Sequence, residues 1–177
     1  KGQSATNTFK HIACIYEDPT GNIWIGTDGS GFCKITFHQI KFRHIAAPKV
    51  SLSSNFIKCL YQGEDSLLYI GTFNEGLNIL DRHNGKVSVF RNIAGNAASI
   101  PSNTISQILP NNDKQLWVAT EGGLALYDEK VKRFTTVPFG NKTHYIVNGI
   151  FKRKNGDILV SANDTLALIT DSPVRKY

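Results

Sequence analysis

The sequence predicts an all-β protein made of about four copies of one antiparallel unit. An apolar five-residue motif recurs at residues 23–27, 68–72, 116–120 and 158–162, so that successive copies lie 42 to 48 residues apart. A repeat of this period is typical of stacked supersecondary units. No segment shows a sustained apolar period of 3.6 residues, so almost no helix is expected.

Each copy predicts four short strands. The motif centres on one residue, called the central position, which is Trp24, Tyr69, Trp117 or Leu159. Apolar residues stand twelve, nine and eight residues before it in every copy and define a first strand. The motif itself is the second strand, and a Gly-rich bend, a third strand, a polar turn and a fourth strand follow.

Four short antiparallel strands in each unit of some 40 residues indicate a β-propeller blade. Apolar residues at consecutive positions of the inner strands fit a blade that is covered on both faces. The expected fold is therefore about four four-stranded blades that form part of a larger propeller. The predicted blades cover approximately residues 9–46, 55–94, 103–139 and 144–177.

The outer faces of the first and last blades set a physical requirement. If one blade face presents about 400 Å² of apolar surface, leaving it in water forfeits on the order of 10 kcal/mol. The four blades must therefore close into a small ring, pair with a second copy of the chain, or dock onto further blades. The last two solutions are favoured, so the expected partners are the remaining propeller blades or a homodimer mate.

Composition excludes several classes of function. The formal net charge of +6 suggests acidic partners, but the basic residues are scattered, and the one dense run, residues 152–154, precedes a predicted turn. Nucleic-acid binding is therefore not expected. No apolar run reaches the roughly 20 residues of a membrane helix. The absence of Met and of a signal segment suggests an excised or processed piece of a longer protein.

The cysteines are interpreted as small buried apolar residues. Cys14 and Cys59 occupy equivalent positions in adjacent copies, so a disulfide between them is conceivable in an oxidising compartment. Cys33 would remain unpaired. No Cys or His spacing matches a zinc site, and no metal or cofactor is expected.

Residues 18–27 read Asp-Pro-Thr-Gly-Asn-Ile-Trp-Ile-Gly-Thr, and a glycine, a strand and a second turn follow. Close variants occupy residues 68–77 and 116–124, and a Ser-Asn pair precedes the first strand at 54–55 and 102–103. This pattern resembles the two-component regulator propeller repeat of the sensor regions of bacterial hybrid two-component systems. The fourth copy departs from it, because Ser161-Ala162-Asn163-Asp164 replaces the Gly-Thr and Gly-Gly elements. Its bend is expected to have another shape.

The resemblance implies a function for the chain. It would be a fragment of the periplasmic sensor domain of an inner-membrane signalling protein, about half of a propeller of seven or eight blades. It would bind a ligand such as a glycan fragment and relay the signal to a histidine kinase outside this chain. The fragment itself would be no enzyme and would meet the membrane only through its parent protein.

The predicted ligand site lies on one rim of the propeller. Loops between second and third strands emerge on the same face as the connections between blades. Carboxylates and amides beside an aromatic ring suit a polyhydroxylated ligand, although ordinary solvated turn residues would give the same pattern. The predicted contact residues are Asp28, Phe73, Asn74, Glu75 and Glu121, with Asn55 and Asn103 nearby.

Aromatic and histidine side chains elsewhere in the repeat are given a structural interpretation. Trp24, Tyr69 and Trp117 lie between aliphatic neighbours and are expected to pack in the core. The five histidines occupy different repeat positions, so no catalytic residues are expected. Two alternative functions stay open: a structural or protein-binding propeller with a large apolar patch, and a propeller lyase in which His11 and His144 converge on the channel.

Overall fold

The computed structural model describes residues 11–36, 41–46, 51–63, 66–112, 114–139, 145–163, 165–170 and 175–176. They form four antiparallel sheets of four strands, each in sequence order. The described residues contain no helix, and hence none that could cross a membrane. The predicted all-β fold of four-stranded propeller blades is confirmed.

The strands of each sheet define one blade. Blade 1 comprises β1 (Ile12–Glu17), β2 (Ile23–Thr27), β3 (Phe32–Thr36) and β4 (Lys41–Ile45). Blade 2 comprises β5 (Ile57–Gln62), β6 (Leu67–Thr72), β7 (Leu77–Asp81) and β8 (Val87–Phe90). Blade 3 comprises β9 (Ile105–Asn112), β10 (Gln115–Thr120), β11 (Gly123–Asp128) and β12 (Arg133–Val137). Blade 4 comprises β13 (Val147–Lys152), β14 (Ile158–Ala162), β15 (Thr165–Ile169) and β16 (Arg175–Lys176).

The core lies between blades. The first strands of successive blades contact one another, β1 with β5, β5 with β9 and β9 with β13. Three apolar clusters fill the spaces between neighbouring blades, and each contains one of the three central aromatic residues, Trp24, Tyr69 and Trp117. All three are buried, as the sequence predicts.

The glycine of the repeated motif allows successive blades to approach closely. A Cβ at Gly71 would lie 2.4 Å from Cys59 Sγ of its own blade and 2.9 Å from Cβ of Ile105 in blade 3. A Cβ at Gly26 would likewise meet Cys14 Sγ at 2.6 Å and a methyl group of Ile57 at 2.8 Å. A side chain therefore has no room at Gly26 or Gly71, whereas blade 3 has Ala119 at the same position.

The cysteines are free thiols. Cys33 and Cys59 are buried and Cys14 is half-buried, in agreement with their interpretation as core residues. Burial raises the pKa of the Cys14 thiol to about 11. Each of Cys14 and Cys59 packs on the motif glycine of its own blade, and no disulfide joins them in this structure.

The threonine of the motif holds the bend that follows. The Oγ1 atoms of Thr27, Thr72 and Thr120 donate hydrogen bonds to carbonyl oxygens across the bend, at 2.6, 2.7 and 2.7 Å. All three threonines are completely buried. Ala162 stands at this position in blade 4, where no hydroxyl can make the bond. The predicted departure of the fourth copy thus has a physical basis.

A polar residue six positions before the central tryptophan anchors its indole. Asp18 Oδ2 accepts a hydrogen bond of 2.9 Å from Trp24 Nε1, and Asn111 Oδ1 accepts one of 3.1 Å from Trp117 Nε1. Asp18 is buried and also accepts from Thr20 and Asn22. Burial alone would raise the pKa of the Asp18 carboxyl, but these hydrogen bonds from Thr20, Trp24 and Asn22 hold it well below its ordinary value.

The two outer flanks of the four-blade array are open. Ile12 and Ile15 of blade 1 are 51% and 65% exposed, whereas their blade 2 counterparts are almost fully buried. At the other end, Phe151 and Leu166 of blade 4 are 66% and 53% exposed. Among the described residues, apolar side chains are therefore exposed on both outer flanks of the array.

The close approach at the motif glycine can be tested by adding one methyl group. We expect Gly71→Ala to destabilise the protein by about 1–3 kcal/mol, because overpacking forces neighbouring side chains and backbone apart. Gly149→Ala is the matched control, since its Cβ would meet only Gln107 Oε1, at 3.5 Å. Denaturant unfolding measures both. Equal effects of the two substitutions would contradict the role assigned to Gly71.

The hydrogen bonds of the Asp18 carboxylate predict that the protein loses stability in acid. Above about pH 5 Asp18 is charged in both states and its full stabilisation is present. As the pH falls further, the unfolded chain takes up a proton that the folded chain resists, so stability falls. We expect Asp18→Asn to flatten this part of the stability profile, because an amide can still accept from Trp24 as Asn111 does from Trp117. Thermal unfolding of both proteins from pH 7 to pH 3 measures the two stability profiles. Parallel profiles would contradict the low pKa assigned to Asp18.

Candidate ligand site at the channel mouth

One backbone hydrogen bond recurs in every blade and builds a rim at one end of the array. The residue just after the second strand donates its N–H to the carbonyl oxygen of the residue just before the first strand. The four bonds are Asp28 to His11 (2.8 Å), Phe73 to Phe56 (3.0 Å), Glu121 to Thr104 (3.1 Å) and Asn163 to Ile146 (3.1 Å). The repeat therefore places one side chain of each blade at an equivalent point of the rim.

A groove of about 780 Å³ lies inside this rim and crosses all four blades. Its wall is formed by the residue eleven positions before the central position, on the first strand of each blade. These wall residues are Ala13, Lys58, Ser106 and Asn148. The first strands thus present chemically different side chains at one repeated position.

The groove combines apolar and polar surface. Phe56 and Phe73 are 48% and 44% exposed and line it together with Ile146. The Phe56 ring lies on the bend of blade 1, since a Cβ at Gly29 would be 3.3 Å from its Cε1. Carboxylates of Asp28 and Glu121 and the ammonium of Lys58 complete the lining. Such a surface can pack against a flat apolar face and hydrogen-bond hydroxyl groups.

The structure brings three of the seven predicted contact residues into the groove: Asp28, Phe73 and Glu121. Their contact with a ligand stays a prediction. Sequence reasoning missed the aromatic Phe56 and the wall residues Lys58, Ser106 and Asn148. The wall residues share one position of the repeat. That position becomes informative once it is known to face the groove.

The other four predicted residues do not line the groove. Asn74 has a φ of 65°, and its Oδ1 accepts a hydrogen bond of 2.9 Å from Thr104 Oγ1 of the next blade. Glu75 pairs with Arg91 at 3.0 Å. The Asn55 carbonyl accepts from the N–H groups of two bend glycines, and Asn103 Oδ1 accepts from the N–H of Asn92 at 2.7 Å. These interactions hold the bends and the connections between blades, and ligand contact by these residues also stays a prediction.

Of the two histidines named in the lyase hypothesis, the structure describes His11 but not His144. His11 is exposed, and its carbonyl belongs to the rim hydrogen bond with Asp28. His144 lies outside the described residues, so the predicted convergence of the two is not tested. Within the described ranges, no group of three His, Cys, Asp or Glu side chains could hold a metal ion.

The family model for the two component regulator propeller matches residues 8–29, 51–74 and 99–122. The chain therefore carries two-component regulator propeller repeats in three segments, one in each of the first three blades. Each match covers the approach to a blade, its first strand and the motif that ends in the buried threonine. No curated protein matches the chain in sequence.

Solved structures resemble the whole chain. The extracellular domain of a protein described as a hybrid two-component system of Bacteroides thetaiotaomicron is 23% identical, with a TM-score of 0.78 over 100% of this chain and 25% of that one. A second such domain from the same organism is 19% identical, with a TM-score of 0.77 over 98% of this chain and 24% of the other. The chain thus spans about a quarter of the length of these structures.

A lyase shares the fold as well. Catalytically inactive virginiamycin B lyase from Staphylococcus aureus, with quinupristin, is 18% identical, with a TM-score of 0.69 over 94% of this chain and 55% of the lyase. At these identities the likeness concerns the propeller fold. The two-component regulator propeller repeats, by contrast, are identified from the sequence itself.

Proposed function

We propose that the chain is a section of the extracytoplasmic sensor domain of a hybrid two-component signalling protein. The observation that carries this proposal is the match of three blades to the two component regulator propeller. The extracellular domains of the two Bacteroides thetaiotaomicron proteins support it, since they share the fold over nearly the whole chain. The kinase that receives the signal would be part of the parent protein, outside these residues, and the sensor would work in the periplasm.

The groove at the channel mouth is the ligand site in this proposal. Its exposed aromatic residues, Phe56 and Phe73, offer apolar contact to the flat face of a sugar ring. Asp28, Glu121 and Asn148 offer hydrogen-bond partners for hydroxyl groups. A glycan fragment combines both features. The groove crosses four blades, so a bound oligosaccharide would contact several of them at once.

The open flanks support a larger assembly. Exposed Ile15 and Leu166 stand where the inner blades bury apolar side chains against a neighbour. Further blades of the parent protein, or a second copy of the chain in a homodimer, would cover them. A larger ring would also extend the groove around the central axis.

A purely structural or protein-binding propeller is the second candidate function. The exposed apolar residues of the two flanks favour it, because such surfaces mark protein interaction sites. Catalysis is not part of the proposal. The fold likeness to virginiamycin B lyase is the support for a lyase.

Binding can be tested by calorimetric titration of the complete propeller against pools of oligosaccharides. We expect Phe73→Ala to weaken binding of the active pool about tenfold or more, since exposed aromatic residues in a site contribute a large share of affinity. Ile93→Ala is the matched control, because Ile93 is a 57% exposed apolar residue of the blade 2 region outside the groove. The absence of binding heat with every one of the chemically diverse pools would contradict ligand binding. An equal loss of affinity in Ile93→Ala would contradict the assignment of the site to the groove.

A further inference from the structure

A second cavity lies between blades 2 and 3, at the end of the array opposite the rim. It has a volume of about 320 Å³ and is formed by the turn regions between third and fourth strands. Since strands alternate in direction, these turns and the rim loops are at opposite ends of each blade. The half-buried Phe90 lines the cavity, Tyr69 and Tyr127 lie behind with 0% and 2% of their surface exposed, and Lys86 and Lys132 stand at the exposed mouth. We call this cavity the blade 2–3 cleft.

The preceding interface explains why the cleft exists. Between blades 1 and 2, Lys34 and Arg82 both lie over the Trp24 ring, at 5.3 and 5.4 Å from its centroid. The repeat register places Ile79 and Glu129 at these two positions between blades 2 and 3. Both are shorter side chains, and the central residue there is a tyrosine instead of a tryptophan. Space that the protein fills at one interface is thus left open at the next.

The carboxylates of the cleft already have donors. Asp81 accepts from the N–H of His83 at 2.8 Å and from Asn84 Nδ2 at 2.6 Å. Glu129 Oε1 accepts from the hydroxyl of Tyr69 at 2.6 Å. Gly63 stands where blade 1 has the buried Asp18, so the carboxylate that faces Arg82 in the first interface has no counterpart here.

The two lysines are differently placed. In the part of the chain that the structure describes, neither the Lys86 nor the Lys132 ammonium forms an ion pair. Two cationic donors without an ion pair therefore stand beside the half-buried Phe90, and the Asp81 and Glu129 carboxylates accept hydrogen bonds from other groups. An anion with an apolar body matches that arrangement, because its charge would meet the ammonium groups and its body the Phe90 ring.

The backbone at Lys132 provides an independent indication. Lys132 has a φ of 53°, in the left-handed region that L residues other than Gly, Asn and Asp rarely adopt. Its counterpart in the equivalent turn of blade 2 is Gly85, with a φ of 75°. A glycine would be the unstrained choice at this turn. Strain retained at a cavity-lining cation is typical of functional positions.

We propose that the blade 2–3 cleft binds a small carboxylate with a planar apolar body, its charge held by Lys132 and Lys86 and its body against Phe90. Such a ligand contacts both blades and stabilises their interface. Because binding favours the folded, packed state, occupancy raises the unfolding temperature. The site is separate from the groove at the channel mouth and does not depend on what binds there.

Benzoate and benzamidine test the proposal, since they match in shape and differ in the sign of their charge. Both are titrated into the full chain, with chemical shifts of the Tyr69 and Tyr127 amides as the readout of site and affinity. We expect benzoate to shift these signals in a saturable way and benzamidine to bind at least tenfold more weakly. Equal binding of the two probes, or stronger binding of benzamidine, would overturn the proposal.

The Lys132→Gly substitution distinguishes a binding role of Lys132 from a structural role. This substitution removes the ammonium and relieves the backbone, so benzoate affinity is expected to fall about tenfold while the unfolding temperature stays the same or rises. Lys132→Arg keeps a cation and should retain most of the binding. Lys130→Ala, an exposed lysine of the same turn outside the cleft, should change nothing. Unchanged benzoate binding in Lys132→Gly would refute the role of Lys132.

Discussion

The contact that the rest of the structure depends on is the close approach of neighbouring blades at the motif glycine. At Gly71, a thiol of the same blade and an isoleucine of the next blade occupy the space of a side chain. The same approach joins blades 1 and 2 at Gly26, whereas Ala119 stands at this position where blade 3 meets blade 4. Close-packed interiors tolerate little change in volume, so the absent side chain constrains the spacing of the first three blades.

The fold could be predicted because the same local rules recur. The central aromatic, the glycine two residues later and the buried Thr72 are readable as a repeated pattern, and each has one dominant structural role. The departure of the fourth copy was equally visible, since Ala162 replaces the threonine. Repetition converts several weak local signals into one strong prediction.

The candidate sites were harder to predict, for two physical reasons. Exposed turn residues have the same composition whether they bind the protein's own backbone, as Asn103 does, or face a ligand. The direction in which a first-strand residue such as Lys58 points depends on the closure of neighbouring blades, which a strand pattern does not contain. The cleft beside Tyr69 is less predictable still, because it arises from shortened side chains at two positions that lie far apart in sequence.

Only one described indole anchor of the array is ionisable. Trp24 at the first blade relies on a carboxylate, whereas Trp117 two blades later relies on the neutral amide of Asn111. A chain of units that contact only their neighbours can fray from whichever terminus is weakened first. Strong acid would therefore weaken the indole anchor of the first blade and leave that of the third blade unchanged.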